Sequence, residues 1–143
     1  MRLDRIIRNT GGIFTAGDSA AEIDAICSDS RKVTRGSLFV AVKGYAVDGH
    51  EYISRAIGKG ARAIVYEDQQ AADFQTEAIS LEGISMIKVE SSRKALALIA
   101  SNFYDNPSEK LTLVGITGTN GKTTTTNLIK TIIEKSTGSK VGL

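Results

Sequence analysis

The chain has 143 residues, 41% hydrophobic and 24% charged, and its 18 Lys and Arg stand against 16 Asp and Glu for a formal net charge of +2. That balance supplies no basic stripe for nucleic acid, and no run approaches the ~18 apolar residues of a membrane helix. The N-terminus, MRLDRIIRNTGGIF, breaks its apolar residues with charge and lacks a secretory core, and the single Cys27, which excludes an intramolecular disulfide, reads as a small buried hydrophobe. The expectation is a soluble cytoplasmic protein with no nucleic-acid, membrane or obligate protein partner.

In chain order, Leu3, Ile6 and Ile7 at helical spacing predict a short amphipathic helix over residues 1–8, ended by Gly11-Gly12. Residues 23–27 and 37–42 read as strands; the second holds the continuous apolar run LFVAV of a strand buried on both faces. The polar loop SDSRKVTRG joins them. Asp48-Gly49 signals a turn, after which Tyr52, Ile53, Ala56 and Ile57 share a helix face, with Gly58 or Gly60 as the stop. ARAIVYE is a third strand and, after a polar stretch at 68–77, ISMIKVE a further one. Ser91 or Ser92 then caps a helix carrying Leu96, Leu98, Ile99 and Phe103. Alternating strands and helices predict an α/β domain over residues 1–106. The linker falls at YDNPSEK, around the only proline, Pro107, and residues 107–143 begin a second domain.

There the apolar run Leu111, Leu113, Val114 leads into GITGTNGKTTTTNLI, then a helix with Leu128, Ile129, Ile132 and Ile133 on one face, stopped by Gly138, and SKVGL begins another strand. A strand, a glycine-rich loop and a helix N-terminus are the parts of a phosphate cradle. Gly118 and Gly121 let the backbone wrap close to phosphate, Lys122 reaches the β- and γ-phosphates as a point charge, and Thr123 offers a hydroxyl to Mg²⁺. Four β-branched threonines open a helix poorly, at up to ~0.7 kcal/mol each, so another demand selected them. The general loop spacing would put its first glycine at 116, where Ile116 stands. The competing reading is a plain strand-turn-helix with an Asn120-Gly121 turn.

GITGTNGKTTTT resembles the ATP-binding loop of the Mur ligase family, whose variant reads T-G-T-N-G-K-T, and SDSRKVTRGSLFVAVKGYAVDGHEYISRAIGKGARAIVYE resembles the family's N-terminal UDP-binding domain. The resemblance implies a small α/β UDP-sugar-binding domain followed by the first β-loop-α unit of a P-loop ATPase domain. It also implies an ATP-dependent acid–amino-acid ligase of peptidoglycan precursor synthesis. Such an enzyme adds the third amino acid, a diamino acid, to UDP-N-acetylmuramoyl-L-alanyl-D-glutamate through an acyl phosphate. The loop text is closer to that type than to the dipeptide-adding type; a non-catalytic nucleotide-binding module is the alternative of another class.

Carried over by residue, the nucleotide contacts fall on Gly118, Thr119, Asn120, Gly121, Lys122, Thr123 and Thr124, with Lys122 catalytic and Thr123 the Mg²⁺ ligand. The uridine diphosphate contacts fall on Ser28, Ser30, Tyr45, Ala46 and Val47. Relatives often carry a glutamine in the last three positions; here backbone contacts or stacking on Tyr45 would replace it. Asp29 and Arg31 either shape the loop by pairing or meet substrate. His50 reads as a cap for the helix after Gly49, and Tyr66 and Tyr104 as packing residues. The choice between meso-diaminopimelate and L-lysine is expected to lie beyond Leu143, and the 143-residue chain by itself is expected to be inactive.

Overall fold

The structure is a computed structural model that describes residues 1–45, 47–77 and 79–142. The chain divides into two compact units, Met1–Pro107 and Ser108–Leu143.

The first unit is built on one five-stranded sheet. Its strands are β1 (Ile13–Ala16), β2 (Ala25–Cys27), β3 (Ser37–Val40), β4 (Ala63–Tyr66) and β5 (Ser85–Lys88), in the spatial order β1-β5-β4-β3-β2. The four strands β2 to β5 are parallel, with Leu38 opposite Ala63 and Ala63 opposite Ser85; β1 closes the other edge antiparallel, with Ile13 opposite Lys88. Helices α1 (Leu3–Ile6), α2 (Ile53–Gly58), α3 (Gln69–Thr76) and α4 (Ser92–Phe103) complete the unit, with a 3-10 turn at Gly49–Tyr52.

Strand alternation sorts the apolar residues into two cores, one on each face of the sheet. Leu38, Val40, Ala63, Val65 and Ile87 join Leu3 and Ile6 of α1 and Ala95 and Ile99 of α4. Phe39, Ile64, Tyr66 and Met86 meet Ile53 and Ala56 of α2 and Ala72 of α3. Residues 38–41 and 63–66 are therefore buried throughout, as a parallel sheet covered on both sides requires. The connection 28–36 carries no helix; buried Val33 fastens it to the Phe39 face instead. Asn102 Nδ2 donates to the carbonyls of Ile6 (2.9 Å) and Arg8 (2.8 Å), tying the end of α1 to α4.

Several elements differ from the expectation. Residues 13–16, to which the sequence assigned no element, form β1, because an edge strand needs only one ladder and its exposed side tolerates a polar neighbour. The polar stretch 68–77 contains α3, capped by Asp68, whose carboxylate accepts the N–H of Ala71 at 3.0 Å. Leu98 stays partly exposed while Ala95 and Ile99 face the core. Cys27 is half-buried rather than buried, its Sγ directed at Lys32 O. Tyr66 is buried, its hydroxyl 2.9 Å from Thr15 Oγ1, whereas Tyr104 is exposed with its ring edge-on to Phe103.

In the second unit the helix α5 (Lys122–Thr137) forms, ending at left-handed Gly138. Residues 111–117 and 139–142 form no ladder, so the expected strands are absent there. The reason is physical: a strand is stabilised by cross-strand pairs, and neither segment has a partner among the described residues. Leu111, Leu113, Val114, Leu128 and Ile132 are correspondingly exposed. No helix among the described residues is long and apolar enough to cross a membrane.

Candidate functional site

A cleft of about 470 Å³ opens at the carboxyl ends of β2 and β3. That is where open parallel sheets bind ligands, because loops and helix starts converge there. Its wall takes Ser28, Asp29, Ser30 and Arg31 from the crossover after β2, Phe39 from β3, and Val42, Val47 and Gly49 from the segment after it; Tyr52 and Arg55 come from the 3-10 turn and α2. The structure thus gathers Ser28, Ser30 and Val47 of the expected uridine set. Tyr45 is fully exposed and absent from the lining, with the Arg93 guanidinium 5.4 Å from its ring centre. Ala46 lies outside the described residues.

Asp29 and Arg31 pair with each other, and both line the cleft. Arg31 Nη2 donates to Asp29 Oδ2 at 2.8 Å, its Nε reaches both carboxylate oxygens, and its backbone N–H donates to Oδ1 at 2.9 Å. Those bonds, the side-chain ones foremost, hold the Asp29 carboxyl down at about 2. Ser30 is buried, and its hydroxyl has no hydrogen-bond partner among the described residues; the same holds for the guanidinium of Arg55. A hydroxyl, two arginines, an aromatic face at Tyr52 and an apolar floor at Phe39 and Val42 suit a planar base joined to an anion. Phe39, Val42, Tyr52 and Arg55 were not named as site residues from sequence, because only the fold brings them beside Ser28.

The cleft is braced by His50, which is fully buried. Its Nδ1 lies 2.6 Å from Asp48 Oδ1, and its Nε2 accepts the N–H groups of Glu67 (3.1 Å) and Asp68 (3.2 Å). Asp48, not His50, caps the 3-10 turn, accepting the His50 N–H at 3.0 Å. Burial pushes the Asp48 carboxyl up, but the backbone and ring bonds from His50 outweigh it and leave a net depression. Glu67 in turn accepts the N–H of Ser92 at the start of α4, at 2.6 Å. Gly49 is required by close approach, since a Cβ there would stand 2.7 Å from both Val42 N and Val42 O.

In the second unit, left-handed Gly121 (φ 77°) starts α5 without a side-chain cap. The N–H groups of Lys122, Thr123 and Thr124 have no acceptor among the described residues, which is the donor set an anion takes at a helix start. Lys122 Nζ donates to Gly118 O at 2.6 Å and reaches Thr119 O at 3.4 Å. The threonines divide. Thr126 Oγ1 bonds back to the carbonyls of Lys122 and Thr123, whereas Thr123, Thr124 and Thr125 hydroxyls take no partner among the described residues. An exposed, unpartnered Thr123 hydroxyl at the helix start fits Mg²⁺, which binds through few protein oxygens together with phosphates and water. No cluster of three or more His, Cys, Asp or Glu suited to a metal exists among the described residues.

A mostly parallel five-stranded sheet with a cleft at its strand ends, followed in sequence by a glycine-rich loop and a helix, defines an α/β protein. The family model "Mur ligase family, catalytic domain" matches residues 22–104. The chain belongs to the Mur ligase family. It is 44% identical, over all of its length, to UDP-N-acetylmuramoyl-L-alanyl-D-glutamate--2,6-diaminopimelate ligase of Clostridium tetani, and spans 28% of that relative. MurF from Acinetobacter baumannii shares the fold, with a TM-score of 0.65 at 23% identity, over 94% of this chain and 28% of that one. The MurF ligase of Thermotoga maritima in complex with ADP is 32% identical, with a TM-score of 0.51, over 81% of this chain and 24% of that one.

Proposed function

We propose that the chain is part of an ATP-dependent, cytoplasmic amide ligase of peptidoglycan precursor synthesis, joining 2,6-diaminopimelate to UDP-N-acetylmuramoyl-L-alanyl-D-glutamate. The observation that carries this reading is the 44% identity to the Clostridium tetani ligase of that name over the whole chain, which includes both the cleft and the glycine-rich loop. The dipeptide-adding alternative has less support, at 32% over 81% of the chain.

Residues 1–106 serve as the UDP-sugar-binding domain and residues 107–143 open the ATP-binding domain. In the cleft, Ser28, Ser30 and Val47 hold the uridine end, and Arg31 and Arg55 face the diphosphate; Asp29 fixes the Arg31 guanidinium through its paired bonds. In the loop, Gly118, Thr119, Asn120, Gly121, Lys122, Thr123 and Thr124 wrap the ATP phosphates. Lys122 leaves the Gly118 carbonyl and moves its charge to the γ-phosphoryl group, which passes to the D-glutamate carboxylate; the diamino acid's amine then attacks that acyl phosphate and releases phosphate. Thr123 would ligate Mg²⁺, which when bound neutralises charge on the β- and γ-phosphate oxygens.

NMR titration of the chain with UDP tests the first half. Shifts should centre on Ser28–Arg31, Val42 and Val47–Gly49, and shifts confined to 115–124 would refute the uridine site. For the second half, the full-length protein should release one phosphate per amide formed from the UDP-linked dipeptide and 2,6-diaminopimelate. ATP hydrolysis without amide formation would refute it.

A further inference from the structure

After β3 the chain doubles back on itself. Gly49 N–H donates to Val42 O at 3.0 Å, Lys43 and Asp48 form an antiparallel bridge, and Gly44 N–H donates to Val47 O at 3.0 Å. This small hairpin supplies Val42, Val47 and Gly49 to the cleft. Near its tip Tyr45 is fully exposed and Val47 more than half exposed. The Arg93 side chain reaches the hairpin from elsewhere in the chain. Arg93, the second residue of α4, donates through Nη2 to Lys43 O at 3.3 Å and lays its guanidinium over the Tyr45 ring at 5.4 Å. Arg93 itself is absent from the cleft's lining. The base of α4 is firm, because Ser91 Oγ accepts the Lys94 N–H and Glu67 accepts that of Ser92.

We propose that Arg93 is a positioning residue for the uridine diphosphate cleft, which rests on the uridine reading above: it clamps the 43–48 hairpin from α4 and so fixes where Val47 stands against the ligand. A planar guanidinium can bond a carbonyl at one edge while its face covers an aromatic ring. Lysine cannot do both. Tyr45, which the resemblance placed in the ligand set, then acts through Arg93 and not by stacking on the base.

The test is a binding cycle on the full 143-residue chain, read by NMR or calorimetry with UDP and UMP. Arg93→Ala should weaken both ligands by the same factor, about threefold to tenfold, with the melting temperature little changed. Arg93→Lys should recover little, Tyr45→Ala should give a similar loss, and the double variant should be no weaker than either single one. Equal binding by Arg93→Ala overturns the proposal, as does a loss for UDP alone, which would make Arg93 a phosphate ligand. Additive losses in the double variant also overturn it. Failure of the parent chain to bind either nucleotide strikes instead at the uridine reading, and Arg93 falls with it.

Discussion

His50 Nδ1 and Asp48 Oδ1 stand 2.6 Å apart, and the geometry settles which nitrogen carries the proton. Nε2 accepts two backbone N–H groups, from Glu67 and Asp68, so the proton is on Nδ1 and donates to the carboxylate. One ring thereby joins the turn after the hairpin to the end of β4. Replacing it with alanine leaves two partly buried N–H groups and a carboxylate oxygen short of a partner and empties a buried site, so His50→Ala should cost about 2–4 kcal/mol of folding stability. Urea denaturation checks this, and ring ¹⁵N shifts should report the Nδ1–H tautomer. A loss below about 1 kcal/mol would show that water replaces the ring.

Asp29 makes the cleft sensitive to acid. Its carboxyl sits at about 2 in the folded chain against an ordinary 3.8, because Arg31 bonds the charged form. A depressed folded value contributes stability above the unfolded value, and that contribution is lost as pH falls from about 4 to 2. Carboxyl ¹³C titration should give the low midpoint, and Arg31→Ala should return it toward the ordinary value. An unchanged midpoint in that variant would mean that the pair does not persist in solution.

The strands β3, β4 and β5 and helix α4 were legible because local pattern and tertiary demand agree: LFVAV is apolar at every position, and Ser91 is the cap that α4 uses. The edge strand β1 and the polar α3 were not, since their identity comes from Lys88 pairing with Ile13 and from Ala72 reaching the Tyr66 core. For 111–116 the pattern spoke for a strand, but pairing cannot be met locally. The site divides in the same way. The glycine-rich loop before α5 is contiguous in the text, and Ser28 and Ser30, proposed from resemblance, do line the cleft. Arg55 and Tyr52 carry no local signal, because they reach Ser28 only through the packing of the 3-10 turn and α2 against the Phe39 face of the sheet.

Lys122 is held by neutral carbonyls of its own loop, so losing it should disturb phosphoryl transfer more than folding. In the full-length protein, Lys122→Ala should lower kcat by about 10²–10³ while leaving the melting temperature nearly unchanged. Steady-state phosphate release measures the first and calorimetric melting the second. Near-parental turnover would remove Lys122 from the catalytic role.

The 143-residue chain alone should bind Mg-ATP weakly despite its intact loop. Residues 111–117 have no ladder, and Leu113 and Val114 are 75% and 61% exposed, so the backbone that launches the loop is not fixed by neighbours. Binding must then order that segment as well as draw Lys122 from the Gly118 carbonyl, and both costs subtract from the phosphate contacts. Calorimetry should give a dissociation constant weaker than about 100 µM, where only some 5 kcal/mol of net binding energy remains. An unpaired apolar segment also invites a second strand as cover, so sedimentation should show self-association that rises with concentration and falls in Leu113→Lys. Tight binding by a monomer would mean that α5 and its glycine loop form a sufficient phosphate site without a sheet beneath them.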